Sequence, residues 1–415
     1  QTKAELQTAV DLWVSDNASA LVTYGEINTW DVSLITSMSF LFQSKTTFND
    51  DISNWDVSNT TDMNSMFNGA SSFNQDISTW DVSNVTDMFQ MLRGASSFNQ
   101  DISTWDVSSV TSMSSMFNDA QSFNQDISTW DVSNVSSMTF MFWGAINFNQ
   151  DLSSWIVTGV TNMEGVFQQA TAFNGDISSW DVSNVTKAEK MFYFATNFNR
   201  DISNWDVSNV TNASYMFSHA SSFNQDISTW NVSSISGMSM MFHGASSFNQ
   251  DLSNWNVSSV TNMYGIFDNA SALSQENKCA IHTVFSSNEN WPYEWDQYCP
   301  HPPIAYDQSY IVNEDSYLEG SLSGSDEDGD ELSYIVEQLP MHGEITFGET
   351  VNFTYMPFNN FNGEDNFTYK VYDGMDFSNI ATITIEVTPV NDAPFFTMED
   401  FTAHGDITGG VDHWV

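Results

Sequence analysis

A tryptophan recurs every 25 residues along more than half of the chain, without one insertion or deletion. The ten positions are Trp30, Trp55, Trp80, Trp105, Trp130, Trp155, Trp180, Trp205, Trp230 and Trp255. A period in the twenties that never slips is typical of coils of equal length that stack on one another, because one extra residue would break the register. The sequence therefore predicts a repeat solenoid of ten coils over residues 30–273.

One repeat, residues 73–95, reads FNQDISTWDVSNVTDMFQMLRGA. Ile77, Trp80 and Val82 have the spacing of a short strand with inward-pointing alternate side chains. Apolar side chains then recur at i, i+3, i+4 and i+7, the pattern of a helix with one buried face: Met88, Met91, Leu92 and Ala95. The predicted fold class of this region is an α/β solenoid, with one parallel strand and one short helix per coil and the indoles stacked inside.

The two ends of the repeat tract depart from the period, as caps must. Residues 1–29 are predicted to be an N-terminal helical cap, with an amphipathic helix over 3–14, and residues 274–300 a C-terminal cap. The chain's two cysteines, Cys279 and Cys299, lie in the second cap. Two free thiols are the alternative, but a disulfide that closes the solenoid is the favoured interpretation, and it indicates an oxidising compartment.

Beyond a proline-rich hinge at residues 300–305 the period disappears. Short alternating segments are separated there by Gly, Asn and Asp turns, within residues 310–315, 331–338, 343–348, 351–357, 365–374 and 381–390. Such segments predict an all-β, antiparallel Ig-like sandwich over residues 301–393.

The repeat F-N-x-D-I-S-x-W-D-V-S-N-V-T-x-M-x-x-M-F resembles that of the BspA-type leucine-rich-repeat surface proteins of bacteria. The segments DEDGDELSY, MHGEITF and VTPVNDAP of the second region resemble cadherin-like, Ig-like modules of large bacterial surface proteins. In those modules VNDAP ends one copy and begins the next, so residues 394–415 are expected to start a further module or form a tail, and the chain to be part of a longer one. The resemblance implies secretion, display on the bacterial cell surface and adhesion, and it implies no catalytic residue.

The chain combines 8 basic with 53 acidic residues, a formal net charge of −45. A chain so acidic repels phosphate backbones and anionic lipids, which excludes nucleic-acid binding and electrostatic membrane binding. No run of eighteen apolar residues is present, so no membrane insertion is predicted.

Three carboxylates in the segment DEDGDE form a candidate calcium site: Asp326, Asp328 and Asp330. Hard oxygen ligands at alternate positions around a glycine turn suit Ca²⁺, the one cofactor that we expect here. A solvated acidic turn is the alternative. Weaker candidate ligands are Glu314, Asp373 and Asp392.

Two columns of aspartates run along the repeats. The first precedes the strand: Asp51, Asp76, Asp101, Asp126, Asp151, Asp176, Asp201, Asp226 and Asp251. The second follows the tryptophan: Asp31, Asp56, Asp81, Asp106, Asp131, Asp181 and Asp206. We expect the first column to cap backbone N–H groups in turns, and the second to be solvated rather than to bind cations.

Large aromatic residues replace Ser, Asn or Gly on the predicted helix side: Phe89, Phe140, Trp143, Tyr193, Phe194, Tyr215 and Tyr264. Exposed aromatic residues that cluster are typical of interaction sites, whereas lateral packing and ordinary scatter are the alternatives.

These features favour a non-catalytic adhesin or fibre segment that contacts a protein, a glycan or a cell surface. A purely structural, self-assembling filament or layer subunit is the alternative. An enzyme acting on polysaccharides is the remote one, since the carboxylates repeat evenly and no G-x-S-x-G or H-E-x-x-H motif occurs. Ice binding is disfavoured because the threonine row is interrupted and flanked by aspartates.

Overall fold

A computed structural model describes residues 2–348 and 351–391 of the chain. The chain divides into two compact units, Gln1–Cys299 and Pro300–Val415. The expectations for Asp392 and for residues 394–415 lie outside the described residues. Within those residues, no helix combines the length and the apolar character needed to cross a bilayer.

Each repeat of the first unit hydrogen-bonds to the next one. We number every repeat from its tryptophan as position 0. Nine isolated parallel bridges join position 7 of consecutive repeats, from Ser37↔Asp62 to Gly237↔Asn262. Backbone N–H groups at positions 8, 10, 12 and 14 donate to carbonyl groups of the following repeat; Gln90 N, for example, donates to Ser114 O at 3.0 Å. The ten repeats therefore form one continuous stack.

The short helix predicted for each coil is wrong. Met91 N donates to Met88 O and Ala95 N to Leu92 O, both at 3.1 Å, so each coil contains a series of i→i+3 turns. Between these turns the backbone has positive φ, 54° at Gln90 and 66° at Gly94, which an α-helix does not tolerate. Alternate N–H groups thus bond to the next repeat instead of to residue i−4. The apolar stripe is nevertheless buried as expected, because the turns and a helix direct the same positions inward.

The predicted strand around Trp80 is also absent as a regular element. Asp76 Oδ1 accepts from Ser78 N at 2.9 Å, and Trp80 N donates to Ile77 O at 3.2 Å. These local turns occupy the backbone, so the parallel pairing is reduced to the single bridge at position 7.

Aromatic columns fill the interior of the stack. Nine of the ten repeat tryptophans are 1–4% exposed, whereas Trp30, at the start, is half-buried. Adjacent indoles such as Trp105 and Trp130 stack with centroids 6.4 Å apart, and phenylalanine columns run beside them. This arrangement agrees with the predicted internal indole stack.

Helical caps close the two ends. The first contains α1 (Lys3–Ser15), α2 (Asn17–Tyr24) and a 3₁₀ turn (Ile27–Thr29); the second contains α3 (Gln275–Phe285) and a 3₁₀ turn (Asp296–Tyr298). Gln7 Nε2 donates to Leu41 O of the first coil at 3.0 Å, and Tyr293 Oη accepts from Phe267 N of the last coil at 2.9 Å. The caps thus provide hydrogen-bond partners for backbone groups of the first and last coils, which have no neighbouring coil on one side. Cys279 and Cys299 form a disulfide with a Cα–Cα distance of 4.8 Å.

The second unit is all-β. Its strands are β1 (Ile304–Ala305), β2 (Gln308–Asn313), β3 (Leu318–Ser321), β4 (Gly324–Ser325), β5 (Ser333–Gln338), β6 (Gly343–Phe347), β7 (Asn352–Pro357), β8 (Gly363–Tyr372) and β9 (Ala381–Thr388). They form sheets ordered β2-β9-β8-β5, β3-β7-β6 and β1-β4. The two larger sheets share one core, in which Phe353 packs against Phe367. The expectation of purely antiparallel pairing is wrong at one place, since β2 and β9 are parallel.

Candidate binding face of the repeat unit

One face of the stack carries the residues that differ from repeat to repeat. Positions 8, 11 and 12 are apolar and buried in every coil. Positions 9, 10, 13 and 14 alternate with them, lie at least partly exposed in most coils, and vary between small polar, charged and aromatic residues. We call positions 9, 10, 13 and 14 of all ten coils the variable face. Constant positions build the scaffold, so the variable face is where the stack can carry specificity.

All seven aromatic residues proposed for partner binding lie on the variable face. Their exposure differs from the expectation: only Tyr264 is largely exposed, at 66%, and the other six are half-buried against neighbouring coils. The reason is the close spacing of the coils, which lets a large side chain lie over the backbone of the next coil. Phe140 shows this directly, because a Cβ added at Gly165 would lie 2.3 Å from its ring.

The structure sorts these aromatic residues into two groups. Phe140 and Trp143 form the first group, with ring centroids 5.5 Å apart, and Trp143 Nε1 donates to Gln169 Oε1 at 3.3 Å. Phe89 and Tyr264 make no ring contact with either group among the described residues.

The second group spans three coils around Tyr193. Its ring meets those of Phe194 at 4.6 Å and Tyr215 at 6.0 Å. Phe194 stacks on His219 at 4.2 Å, and His219 meets His243 edge-on at 5.0 Å. The histidines were not identified from the sequence, because neither belongs to a motif; only their place in the repeat register links them to Tyr193.

Charges on this part of the face are few and nearly balanced. Lys190 Nζ lies 3.3 Å from Glu189 Oε1 and 5.9 Å from the Tyr215 ring centroid. Burial lowers the pKa of His219, and the adjacent His243 adds to the effect. Burial raises the pKa of Asp119, which the Arg93 guanidinium partly opposes.

Position 13 also holds buried side-chain atoms that lack a hydrogen-bond partner. Among the described residues there are four such atoms, and three of them belong to position 13: Asn118 Oδ1, Gln168 Oε1 and His243 Nδ1. Asn118 and Gln168 are only 2% and 8% exposed. These residues were missed in the sequence because Asn and Gln are ordinary turn residues there.

The residue 22 positions later, at position 10 of the next coil, faces position 13 and differs from coil to coil. Asn68, also at position 13, donates from Nδ2 to Gln90 Oε1 of the next coil at 3.1 Å. The equivalent neighbour of Asn118 is Phe140, whose ring offers no conventional hydrogen-bonding group. The same 22-residue relation brings Tyr193 against Tyr215. The signal was therefore in the sequence, but only once the pairing of coils is known.

Both aspartate columns are held in local turns. In the first column Asp101 Oδ1 accepts from Ser103 N at 2.9 Å, and in the second Asp106 Oδ1 accepts from Ser108 N at 3.0 Å. Hydrogen bonds from the hydroxyl and N–H of these serines lower the pKa of both carboxyl groups. The first column therefore caps backbone groups as predicted, and the second does so as well, in addition to being exposed to solvent.

In the second unit, Asp326, Asp328 and Asp330 come together, with one carboxylate oxygen of each within 4.8 Å of the others. Asp326 Oδ1 accepts from the N–H groups of Asp328, Gly329 and Asp330 at 2.8–3.2 Å, whereas its Oδ2 is buried and unpaired. Asp328 Oδ2 accepts from His301 N at 2.6 Å. This bond, together with a hydrogen bond from the His301 side chain, lowers the pKa of Asp328.

The weaker candidate ligands lie elsewhere in the described part of this unit. Buried Glu314 accepts from Val390 N at 2.6 Å. Asp373 accepts from the N–H groups of Met375 and Asp376, each at 2.6 Å. Neither belongs to the aspartate cluster, so both act here as turn and strand-end acceptors.

Two family descriptions match the sequence. "Mycoplasma protein of unknown function, DUF285" matches residues 13–125, 99–199 and 174–279, and "Bacterial Ig domain" matches residues 300–386. None of the curated proteins compared with the chain matches it. A repeat module followed by a bacterial Ig module is compatible with a surface or adhesion role.

Two solved structures show limited likeness. An endo-fucoidan hydrolase from glycoside hydrolase family 107 aligns at 19% identity and a TM-score of 0.19, over 21% of this chain and 14% of its own. Listeria monocytogenes InlP aligns at 10% identity and a TM-score of 0.14, over 93% of this chain and 98% of its own. The chain thus spans 14% of the length of the hydrolase, and at these TM-scores neither likeness carries an argument.

Proposed function

The chain belongs to the family described as "Mycoplasma protein of unknown function, DUF285", and from this premise we propose that it is a non-catalytic adhesin or fibre segment of a bacterial surface. In this proposal the repeats are a BspA-type solenoid that presents the variable face to a partner. The Ig unit is a cadherin-like spacer, and the chain acts outside the cell as part of a longer, multi-module protein.

The variable face is the observation that carries the proposal. Its aromatic residues gather into two groups within coils that otherwise repeat almost unchanged, around Trp143 and around Tyr193. Aromatic side chains at a protein surface contribute large contact areas at low conformational cost, and such clusters mark binding sites. Since the scaffold does not need aromatic residues at these positions in the other coils, a partner is the simplest reason for them.

The absence of catalysis is part of the proposal. The aspartates recur evenly along the stack, and each column engages its carboxylates with backbone N–H groups in turns. Glycoside hydrolysis needs two carboxyl groups facing each other across a cleft, one of them with a raised pKa. The lowered pKa of aspartates such as Asp101 and Asp106 supports a structural role instead.

Binding of the labelled full chain to whole bacterial and animal cells tests the proposal. Matched variants replace aromatic residues by residues that other coils carry at the same position. Trp143→Asn introduces the residue found at Asn68 and Asn118, and Phe194→Gly introduces the residue found at Gly94. We expect saturable binding that falls at least tenfold in both variants while Ile156→Asp, which restores a column aspartate outside the variable face, leaves it unchanged. Equal binding by all four proteins contradicts the proposal.

Self-assembly into a filament or layer is the alternative function. Sedimentation of the full chain over a wide concentration range separates it from adhesion. Concentration-dependent assembly that Trp143→Asn abolishes, without binding to cells, would assign the variable face to copies of the chain itself.

We also propose that calcium binds the cluster of Asp326, Asp328 and Asp330. The unpaired, buried Oδ2 of Asp326 supports this, since calcium takes carboxylate oxygens at 2.3–2.6 Å and would satisfy that atom. The ion would screen three carboxylates that lie together on one tight loop and so stabilise the loop.

A further inference from the structure

We propose that the variable face of coils four to nine binds a neutral polysaccharide chain. This inference rests on the proposed adhesive function and names the chemical class of its ligand. The two aromatic groups supply stacking surfaces for sugar rings. The unpaired atoms at position 13, which are buried in the chain without ligand, receive sugar hydroxyl groups once their side chains turn toward the bound polymer.

The unpaired acceptors are the first observation. Asn118 Oδ1, Gln168 Oε1 and His243 Nδ1 occupy equivalent places in coils four, six and nine. A buried acceptor without a donor costs about 1–3 kcal/mol. Three in one column are unusual, because the other buried side-chain nitrogen and oxygen atoms of the repeats, as far as the structure describes them, have partners. The amide oxygens of Asn118 and Gln168 accept hydrogen bonds, and His243 Nδ1 accepts one when its ring proton is on Nε2. Such a column calls for a ligand rich in donors, and a polysaccharide offers hydroxyl donors at regular intervals.

These acceptors alternate with the aromatic residues along the stack. Trp143 lies in the coil between those of Asn118 and Gln168, and Tyr193 lies in the coil after Gln168, all at position 13. Coils linked by parallel bridges lie about 4.8 Å apart, so Trp143 and Tyr193 are separated by about 10 Å. That is the length of two pyranose units in an extended chain. Hydroxyl-binding and ring-stacking groups thus alternate at the spacing of successive sugars.

The rings have surface available for stacking. Trp143 and Tyr193 are half-buried, so part of each ring faces solvent; the Trp143 indole is positioned by Phe140, with ring centroids 5.5 Å apart, and by its hydrogen bond of 3.3 Å to Gln169. A sugar presents an array of C–H groups on one face of its ring, which packs favourably on the electron-rich face of an aromatic side chain. Polar groups beside such a platform then fix the orientation of the ligand.

The charge of the face favours an uncharged polymer. On the variable face of coils four to nine there are three carboxylates, Asp119, Glu164 and Glu189, and one ammonium group, Lys190, while a second, Lys187, lies beside the face at position 7. This near balance contrasts with the net charge of −45 for the whole chain, whose aspartate columns lie outside the face. An anionic polymer would be repelled by the aspartates of the rest of the stack. A cationic protein would be attracted to those aspartates, which lie outside the variable face, more than to the face itself.

Affinity electrophoresis of the full chain in gels that contain soluble β-glucan, mannan, galactomannan or xylan tests the inference. We expect at least one of these polymers to retard the chain. Trp143→Asn and Tyr193→Asn should each weaken the apparent affinity at least tenfold, and Ile156→Asp should not change it. Alginate and heparin, two anionic polymers, should cause no retardation.

Gln168→Leu separates a ligand contact from a structural role. The substitution removes the unpaired amide with little change of shape, so the thermal stability of the variant should be equal or higher, while its retardation should fall at least fivefold. Unchanged retardation would remove the acceptor column from the site and overturn the inference.

The same proteins distinguish this inference from the proposed function. Periodate treatment of target cells should abolish binding if a glycan is the ligand, and protease treatment should not. If none of the neutral polymers retards the chain, and binding to cells is lost after protease alone, the ligand is a protein: the inference fails and adhesion stands. If the chain binds neither polymers nor cells, both fail.

Discussion

The indole Nε1 of Trp105 donates a hydrogen bond to the carbonyl oxygen of Ile77, one coil earlier, at 3.1 Å. The same bond recurs in nine coils. In the first of them Trp55 donates to Ile27, and in the last Trp255 donates to Ile227. The tryptophan column therefore does more than fill volume: it ties each coil to the preceding one through a buried, directional bond.

Trp105→Phe tests this tie. Phenylalanine keeps an aromatic ring but leaves the carbonyl of Ile77 buried without a donor, so we expect a loss of about 1–3 kcal/mol in the free energy of unfolding, together with a cost for lost volume. Urea unfolding measures it. Trp30→Phe is the control, because Trp30 is half-buried and donates within the cap region to Gly25 O. An equal loss in both variants would speak against the tie.

The second aspartate column can be dissected with residues that the chain itself offers. Asn231 and Asn256 replace aspartate in two coils and still accept from the N–H of the serine two residues later, at 3.2 and 3.1 Å. We expect Asp106→Asn to keep its turn and to be neutral or stabilising at low salt, because it removes one charge from a like-charged column. Asp106→Ala should lose the turn and cost about 0.5–1.5 kcal/mol. Urea unfolding at low and high salt checks both, and an Asn variant as unstable as the Ala variant would contradict this account.

Stability should fall when the aspartates are protonated. Hydrogen bonds from serine hydroxyl and N–H groups lower the pKa of carboxyl groups such as Asp76, Asp131 and Asp206 from the ordinary value of 3.8. A folded-state pKa below the unfolded one gives stability that is present above the unfolded value and lost as the pH falls through the folded value. The melting temperature of the repeat unit should therefore fall below about pH 4. A melting temperature that rises steadily down to about pH 3 would mean that repulsion between the columns dominates.

Gly175 should resist replacement by the residue that most coils carry at its position. Glutamine occupies the equivalent place in six coils, for example Gln150 and Gln225. A Cβ at Gly175 would lie 1.9 Å from the backbone oxygen of Gln150. We expect Gly175→Gln to destabilise the repeat unit by about 1–3 kcal/mol, despite matching the consensus. A neutral or stabilising effect in urea unfolding would show that the backbone there adopts the arrangement of the other coils at little cost.

Calcium should stabilise the second unit through the aspartate cluster. At a calcium concentration ten times the Kd, binding adds about 1.4 kcal/mol to its stability. Scanning calorimetry of the full chain, with millimolar calcium or with chelator, should show an upward shift of one transition that Asp326→Asn removes. Glu327→Gln, in the same loop but outside the cluster, is the matched control. Identical curves with calcium and with chelator would exclude the site.

Which residues are buried followed from the sequence, whereas the backbone that buries them did not. Met88, Met91 and Leu92 point inward in a turn ladder as they would in a helix, so their spacing cannot tell the two apart. The neighbouring coil determines which backbone forms, because its carbonyl groups accept the N–H bonds that a helix would make to residue i−4. The positive φ of Gln90 is a consequence of that pairing and leaves no local signature in the sequence.

The candidate face was only partly predictable for the same reason. The aromatic residues stood out because they interrupt a regular repeat. Asn118 and Asn68 look alike in sequence, yet Asn68 Nδ2 donates to Gln90 of the following coil, whereas Asn118 is followed there by Phe140 and its Oδ1 is buried without a partner. The contact between positions 13 and 10 spans 22 residues, and it becomes readable only when the stacking register is known.

The two caps answer opposite needs: Gln7 brings a donor to the carbonyl of Leu41, and Tyr293 brings an acceptor to the N–H of Phe267. Every interior coil presents the same pair of edges to its neighbours. An in-frame duplication or loss of one 25-residue unit therefore leaves both termini chemically matched. Such a change would alter the length of the variable face by whole coils and leave the contacts of both caps unchanged.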